Sequence, residues 1–260
     1  MIQLSIIIIT KNEAENIEDC LESVNWADEI IVVDSGSTDN TVALCQKFTD
    51  KIFVYEDWQG FGIQKQRALS HAQGQWIFSI DADERVTTGL RHEILTVLAT
   101  AISTDSLVYA VPRISSYCGR FIHHSGWHPD YVYRLFKRHK AQFSKDIVHE
   151  RLLFNAPSEK LLAPLLHYSY RRLEDVLDKV NIYSSAGAQR YYQQGKKGSL
   201  FKAISHGLWN FFYTYVVRLG FLDGKEGLML AISNAEGTYY RYLKLMYLLK
   251  QNAEKITKLP

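Results

Sequence analysis

Leu4-Ser-Ile-Ile-Ile-Ile-Thr-Lys-Asn-Glu13 is an apolar run of strand length that breaks abruptly into a polar, charged loop. Three more runs of that length follow, at Ile30–Val33, Ile52–Tyr55 and Trp76–Ile80. Between them the apolar spacing changes. Ile17, Leu21 and Val24 recur at three- and four-residue steps, and Ser37-Thr38-Asp39 can cap a segment carrying Val42, Leu44 and Cys45. Ile63, Ala68, Leu69 and Ala72 mark a third helical segment, and Leu90, Ile94, Leu95 and Leu98 mark a fourth that starts at Thr88. Near-continuous apolar strands alternating with helices predict an α/β fold, a mostly parallel sheet with helices on both faces.

Further along, short β-type runs appear at Leu107–Val111, Tyr131–Phe136 and Leu165–Tyr168, separated by loops rich in His, Gly and aromatics. They read as antiparallel additions to the α/β core. From Leu173 the pattern is helical, with Leu173, Val176, Leu177, Val180 and Tyr183 on one face. Two more long helices are predicted, Leu200–Leu219 and Lys225–Leu249, broken around Gly220 to Gly224. The expected organisation is a catalytic domain over 1–170, with halves 1–105 and 106–170, and a helical extension over 171–260.

Composition narrows the class. The chain has 260 residues, 47% hydrophobic and 13% aromatic, which excludes a disordered chain. With 15 Gly and 5 Pro it is neither collagen-like nor of low complexity. Three cysteines (Cys20, Cys45, Cys118) are too few and too scattered for a disulfide scaffold, and read as buried small hydrophobes in a reducing compartment. The N-terminal run lacks a basic leader and a small-residue cleavage site, so a cytoplasmic protein is expected.

The net charge of +2 hides an asymmetry: from Arg171 onward there are 14 basic and 7 acidic residues, whereas 16 basic and 21 acidic precede it. Leu200–Leu222 is the most membrane-like stretch, but Lys202, His206 and Arg218 interrupt it. It reads as a segment lying on a membrane or buried in the fold, in preference to one that spans. Aromatics such as Phe201, Trp209 and Phe212 alternate with Lys196, Lys197, Lys202 and Arg218, a basic-aromatic pattern suited to an anionic membrane surface. The competing reading is that these aromatics only cover the sheet.

In open parallel sheets, ligands sit at the carboxyl ends of the strands. Three such ends here are polar: Thr10-Lys11-Asn12-Glu13, Asp34-Ser35-Gly36-Ser37-Thr38-Asp39 and Asp81-Ala82-Asp83-Glu84. Helix capping accounts for Ser37 or Asp39. It does not account for three carboxylates closing one strand, because like charges repel unless a cation offsets them. A divalent cation, Mg²⁺ or Mn²⁺, held by one or two carboxylates and by phosphate oxygens suits that cluster. An acidic site repels a polynucleotide, so no nucleic-acid partner is expected. His123, His124 and His128 suggest zinc, but no cysteine or carboxylate set stands at matching spacing.

Ser5-Ile-Ile-Ile-Ile-Thr-Lys-Asn-Glu13, Ile31-Val-Val-Asp-Ser-Gly-Ser-Thr-Asp39, Gly60-Phe-Gly-Ile-Gln-Lys-Gln-Arg-Ala-Leu69 and Asp81-Ala-Asp83 occur in this order over roughly the first 90 residues. Together they resemble the inverting family-2 glycosyltransferases of the GT-A fold. Trp127-His-Pro-Asp-Tyr-Val-Tyr-Arg-Leu-Phe136, Val148-His-Glu150 and Arg218-Leu-Gly-Phe-Leu-Asp-Gly224 are similar to a narrower group, the lipopolysaccharide inner-core β-1,4-glucosyltransferase-like enzymes. One departure stands in the third motif, where the family often has Asn and this chain has Gln66.

The resemblance implies a UDP-hexose donor, glucose being expected, a lipid-linked saccharide acceptor and a place at the cytoplasmic face of the inner membrane. Carried over, Thr10, Asn12 and Glu13 line the nucleoside pocket, Asp34 with Ser35 contacts base or ribose, and Lys65 or Arg67 approaches the diphosphate. Asp81 contacts the sugar-nucleotide and can share the cation with Asp83, the main metal ligand, and His149 is a further metal ligand or hydrogen-bond donor. Inversion needs one base to take the acceptor proton. The candidates are Glu150 and Asp130, Glu150 being preferred. The bland alternatives are surface ion pairs, Asp130 with Arg134 and Glu150 with Arg151. Two other functions use similar features: a sugar-phosphate nucleotidyltransferase, disfavoured because no glycine-rich cradle follows the first strand, and a non-catalytic membrane-associated scaffold.

Overall fold

The computed structural model describes residues 2–100, 107–146 and 150–257, with side chains as far as Asn252. In chain order the elements are β1 (Leu4–Thr10), α1 (Ile17–Val24), β2 (Glu29–Asp34), α2 (Thr41–Cys45), β3 (Ile52–Val54), α3 (Phe61–His71), β4 (Trp76–Asp81), β5 (Glu84–Val86) and α4 (Thr88–Thr100). There follow β6 (Val108–Tyr117), β7 (Arg120–Phe121), β8 (Asp130–Lys137), β9 (Ala141–Phe143), β10 (Leu152–Phe154), β11 (Ser158–Lys160), β12 (Leu165–Tyr170), α5 (Leu173–Gln193), α6 (Leu200–Phe212) and α7 (Gly224–Thr257).

The main sheet runs β3-β2-β1-β4-β8-β6-β12-β5. β1 pairs in parallel with β2 and β4, and β2 with β3, because a helix returns the chain between each pair. From β8 onward the neighbours on this path whose register is given run antiparallel. The expected mostly parallel α/β sheet with antiparallel additions is what forms. β9 and β10 make a small separate hairpin.

The chain divides into two units, Met1–Ile114 with Asp130–His167, and Ser115–Pro129 with Tyr168–Pro260. The core of the first follows from the pleat, since successive residues of a strand face opposite ways. Leu4, Ile6 and Ile8 pack with Ile17, Leu21 and Val24 of α1 and with Leu90, Ile94 and Leu98 of α4. Ile7, Ile31, Val33 and Ile77 instead pack with Ala68 and Leu69 of α3. Both faces of the parallel strands are thereby removed from water. Cys20 and Cys45 are buried as expected, and burial pushes both thiols up, Cys45 to about 12, whereas Cys118 is half-buried.

In the second unit Tyr117, Ile122, Val176 and Leu230 form a small core. α6 is shorter than the sequence predicts. It gives way to a π-helical turn over Tyr213–Val217 and a 3₁₀ turn over Gly220–Asp223. Gly220 is required there, because a Cβ would come 2.8 Å from the Thr214 carbonyl oxygen and 2.9 Å from Ser125 Oγ. Buried Asp223 accepts the backbone N–H groups of His123 and His124, both at 3.0 Å, and Ser125 Oγ–H at 3.0 Å. The Arg218–Gly224 motif thus anchors the His123–His124 loop, which gives both a structural role. No described helix is long and apolar enough to cross a membrane.

Candidate active site

The loops after β1 and β2 are tied together at the carboxyl edge of the sheet. Asn12 stands at φ 55 and its side-chain oxygen accepts Thr38 N–H at 2.8 Å, while its own N–H donates to Ser37 Oγ at 2.8 Å. Glu13 N–H donates to Thr41 Oγ1 and Ala14 N–H to Asp39. The Asp34 carboxylate is turned on its own loop, accepting from Gly36 N–H and Ser37 N–H at 2.8 Å each and from Ser37 Oγ–H at 2.5 Å. That Asx-type turn rests on Gly36, at φ 81. Ser35 Oγ accepts from Gln64 Nε2 at 2.8 Å. Thr10 Oγ1 is buried at the end of β1 and has no hydrogen-bond partner among the described residues. Orphaned polar atoms of this sort are uncommon and mark places where a bound group supplies the bond.

Beside this edge, β4, α3 and β8 bring charges together in a continuous chain. Lys65 Nζ lies 2.7 Å from Glu150 Oε1 and 2.9 Å from Asp81 Oδ1. Arg134 Nη2 donates to Asp81 Oδ2 at 2.5 Å and to Glu84 Oε1 at 2.6 Å. Arg113 reaches Glu84 at 3.4 Å and grips Asp130 at 2.7 Å, directly across the ladder of β6 and β8. The order is Glu150–Lys65–Asp81–Arg134–Glu84–Arg113–Asp130, with opposite signs alternating throughout. Burial alone would raise the Asp81 carboxyl, but Arg134 and Lys65 outweigh it and hold the group far below the ordinary carboxylate range. Burial disfavours the Arg134 cation, and Asp81 with Glu84 reverses that, so its charge is held firmly.

Asp83 stands apart from this chain. Its carboxylate makes no ion pair with Lys or Arg among the described residues, and it meets His167 Nε2 at 3.1 Å. The antiparallel register of β5 and β12, which sets His167 opposite Glu84, brings the imidazole there. Among the described residues no group of three or more His, Cys, Asp or Glu could hold a metal ion, but this carboxylate and imidazole could supply two ligands of a divalent cation. Arg85 braces the turn, donating to the carbonyls of Ala82 at 2.9 Å, Glu84 at 2.8 Å and Asn16 at 2.7 Å.

Glu150 reaches Lys65 because α3 begins with a glycine at the contact. A Cβ on Gly62 would lie 1.9 Å from the Ser144 carbonyl oxygen and 3.3 Å from Glu150 Cβ. Arg67 points elsewhere, to Asp57 at 2.6 Å and over the Tyr55 ring at 4.6 Å. Neither bland ion pair forms: Asp130 pairs with Arg113, Glu150 with Lys65, and Arg151 with Asp146 at 3.7 Å. His149 lies outside the described residues. Gln66, the departure in the third motif, accepts Phe143 N–H at 2.9 Å and so secures the β9–β10 hairpin.

Arg134, Arg113 and His167 are the members that sequence reasoning did not place in the site, whereas Glu84 was read as one of the three carboxylates closing the strand. Arg134 sits in the quoted Trp127–Phe136 motif, and its signal was a cation in the middle of an apolar strand. His167 is likewise a lone polar residue in the Leu165–Tyr168 run, but nothing local says that it meets a carboxylate 84 positions earlier.

In an open α/β sheet ligands sit at the carboxyl ends of the strands, and here that edge is acidic and laced with cations. The profile of Glycosyl transferase family 2 matches residues 5–162, and the chain belongs to that family and is a glycosyltransferase. It is 32% identical over 261 residues to an uncharacterized glycosyltransferase of Rickettsia felis, covering 94% of this chain and 90% of that one. It is 32% identical over 273 residues to the lipopolysaccharide core biosynthesis glycosyltransferase LpsC of Rhizobium meliloti, covering 97% and 94%. The crystal structure of S. aureus TarS 1-349 in complex with UDP-GlcNAc superposes at a TM-score of 0.49 with 14% identity, covering 96% of this chain and 92% of that one.

Proposed function

We propose that this chain transfers a hexose, glucose from UDP-glucose, onto a sugar of a lipopolysaccharide or lipooligosaccharide core, with inversion and with a bound divalent cation. The observation that carries the reading is the alternating charge chain from Glu150 to Asp130 lying beside Asp83, whose carboxylate meets His167 and no Lys or Arg among the described residues. The core-saccharide acceptor is supported by the relationship to LpsC.

On this reading Thr10, Asn12, Glu13, Asp34 and Ser35 line the nucleoside pocket, with the orphan Thr10 hydroxyl free to bond the ligand. Lys65 and Arg134 already neutralise Asp81 and are placed to exchange that carboxylate for diphosphate oxygens. Arg67, committed to Asp57, braces the wall. Asp83 and His167 would hold Mg²⁺ or Mn²⁺, which would stabilise the charge on the departing diphosphate. The acceptor oxygen bonds to the anomeric carbon as the bond to the diphosphate breaks, and its electron pair leaves with UDP. The acceptor proton passes to Glu150. Glu150 is favoured over Asp130 because Lys65 ties it directly to Asp81, whereas Asp130 sits at the far end of the chain on Arg113.

The second unit supports contact with an anionic membrane at the cytoplasmic face. α6 is amphipathic in the inverted sense: it buries Ala203 and Gly207 and turns Phe201, Ile204, Leu208, Trp209 and Phe212 outward, Phe201 being 81% and Leu208 66% exposed. Val216, Val217, Phe221 and Leu222 are exposed as well, and Lys196, Lys197, Lys202, Arg218 and Lys225 are close in sequence. A surface this apolar is rare on a protein that meets only water, and flanking cations suit anionic headgroups.

A donor screen tests the activity. Radiolabelled nucleotide sugars are incubated with the purified chain and truncated lipopolysaccharide acceptors. Transfer from UDP-glucose that requires Mg²⁺ or Mn²⁺ is expected, and release of pyrophosphate from a nucleoside triphosphate and a sugar phosphate would overturn the reading.

A further inference from the structure

A cavity of about 190 Å³ lies within the second unit, lined among others by Tyr117, Trp127, Tyr170, Lys179, Asn210 and Arg241. Two of its lining residues are cations and none is Asp or Glu. Lys179 Nζ rests over the Tyr170 ring at 4.3 Å and makes no ion pair among the described residues. Arg241 lies against Gly187, where a Cβ would come 2.7 Å from its Nε. Among the described residues that buried Nε has no hydrogen-bond partner, and the guanidinium lies over the Tyr191 ring at 5.7 Å. The neighbouring Lys244 is saturated by neutral groups, Asn181, Ser184 and Ser185, at 2.7–2.9 Å. An anion in the cavity would give these two cations the counter-charge that no lining residue supplies.

The walls specify more than charge. Trp127 and Tyr170 stack at 5.7 Å, with Tyr117 at 6.0 and 5.9 Å from them. Asn210 is fixed by Asn234 O at 2.9 Å and Thr238 Oγ1 at 2.7 Å, and Tyr117 OH by Ser233 Oγ at 2.8 Å. Burial pushes the Tyr170 phenol up to about 12, so this wall stays neutral and does not repel an anion. Glu236, whose charge reaches Tyr117, does not line the cavity. A cavity of about 150 Å³ holds a six-membered carbon ring, so this one has room for a single sugar ring and not for a nucleotide.

We propose that this cavity is a binding site for one sugar ring bearing a carboxylate or a phosphate, with Lys179 and Arg241 meeting the anion and the aromatic and amide walls meeting the ring. The site stands on the chemistry of the second unit and does not depend on the donor chemistry proposed for the first.

Isothermal titration of the full chain with glucuronate, glucose 6-phosphate, glucose and inorganic phosphate tests it. At least one anionic sugar is expected to bind about tenfold or more tightly than glucose and than phosphate, and which of the two does so identifies the anion. Lys179→Gln and Arg241→Gln each lose about tenfold, while Arg241→Lys keeps most of the affinity. Circular dichroism checks folding, and should Arg241→Gln not fold, Lys179→Gln on the half-buried side of α5 reads the same loss. Anionic sugars binding no better than glucose, phosphate alone binding as tightly as the sugar phosphate, or folded variants binding like the wild type would each overturn the proposal. A parallel UDP titration of the wild-type chain reports the donor reading separately: glucuronate binding without UDP binding would sink that reading and leave this one standing.

Discussion

The ammonium of Lys65 stands 2.7 Å from the carboxylate of Glu150, a residue 85 positions later in the chain. The same nitrogen lies 2.9 Å from Asp81, so one cation joins the proposed acceptor base to the proposed donor site. Glu150→Gln is therefore expected to lower kcat by about 10²–10⁴ while UDP affinity changes little. Asp130→Asn is expected to lower kcat less than about tenfold, because that carboxylate sits on Arg113 at the far end of the charge chain from Asp81. Steady-state kinetics of both variants check this, and the reverse ranking would make Asp130 the base.

Gly62 makes the Lys65–Glu150 contact possible. With a Cβ placed 1.9 Å from the Ser144 carbonyl oxygen and 3.3 Å from Glu150 Cβ, Gly62→Ala must push Ser144 away from α3 and crowd Glu150. The expected cost is about 1–3 kcal/mol of stability, with a fall in kcat larger than the change in donor binding. Urea unfolding together with kinetics measures both. An unchanged kcat would show that Glu150 need not be held there.

The charge chain sets a pH dependence. Asp81 is held far below its ordinary value against the opposing effect of burial, so the folded chain keeps it ionised where the unfolded chain binds a proton. Its contribution to stability is fully present above about pH 4, the unfolded carboxylate value, and fades as the pH falls from there toward the folded value. The stability gap between wild type and Asp81→Asn should accordingly stay constant from neutral pH to about pH 5 and narrow below about pH 4. Denaturant unfolding across that range checks it, and a gap that widened on acidification would contradict the electrostatic account.

Much of this was legible in the sequence. The apolar runs at Leu4–Ile9, Ile30–Val33 and Trp76–Ile80 had to be buried on both faces, and Thr10, Asp34 and Asp81 at their ends had to share one edge. Arg134, Arg113 and His167 were hidden because they arrive on antiparallel strands whose register depends on tertiary pairing, not on any local pattern. β5 was missed because Glu84-Arg85-Val86 is short and charged, yet it is this strand that sets His167 beside Asp83. The break after α6 fell earlier than the apolar pattern indicated, since Phe212–Val217 stays apolar while its backbone leaves the α-helix for a π-helical turn.

The outward face of α6 makes its own prediction. Phe201→Glu with Leu208→Glu should abolish flotation on vesicles containing anionic lipid, because two of the most exposed apolar side chains would become like-charged with the headgroups. Raising the salt should weaken the wild-type interaction as well. Equal flotation of wild type and double variant would show that the face meets something other than a membrane.

The central claim is that Asp83 and His167 hold a divalent cation beneath a nucleoside diphosphate. Its most direct test is calorimetric titration of UDP into wild type, Asp83→Ala and His167→Ala, each with and without Mn²⁺. The account predicts that Mn²⁺ strengthens UDP binding to the wild type at least tenfold, and that this gain disappears in Asp83→Ala and shrinks in His167→Ala. UDP binding that ignored Mn²⁺ in the wild type, or a gain that survived intact in folded Asp83→Ala, would contradict it.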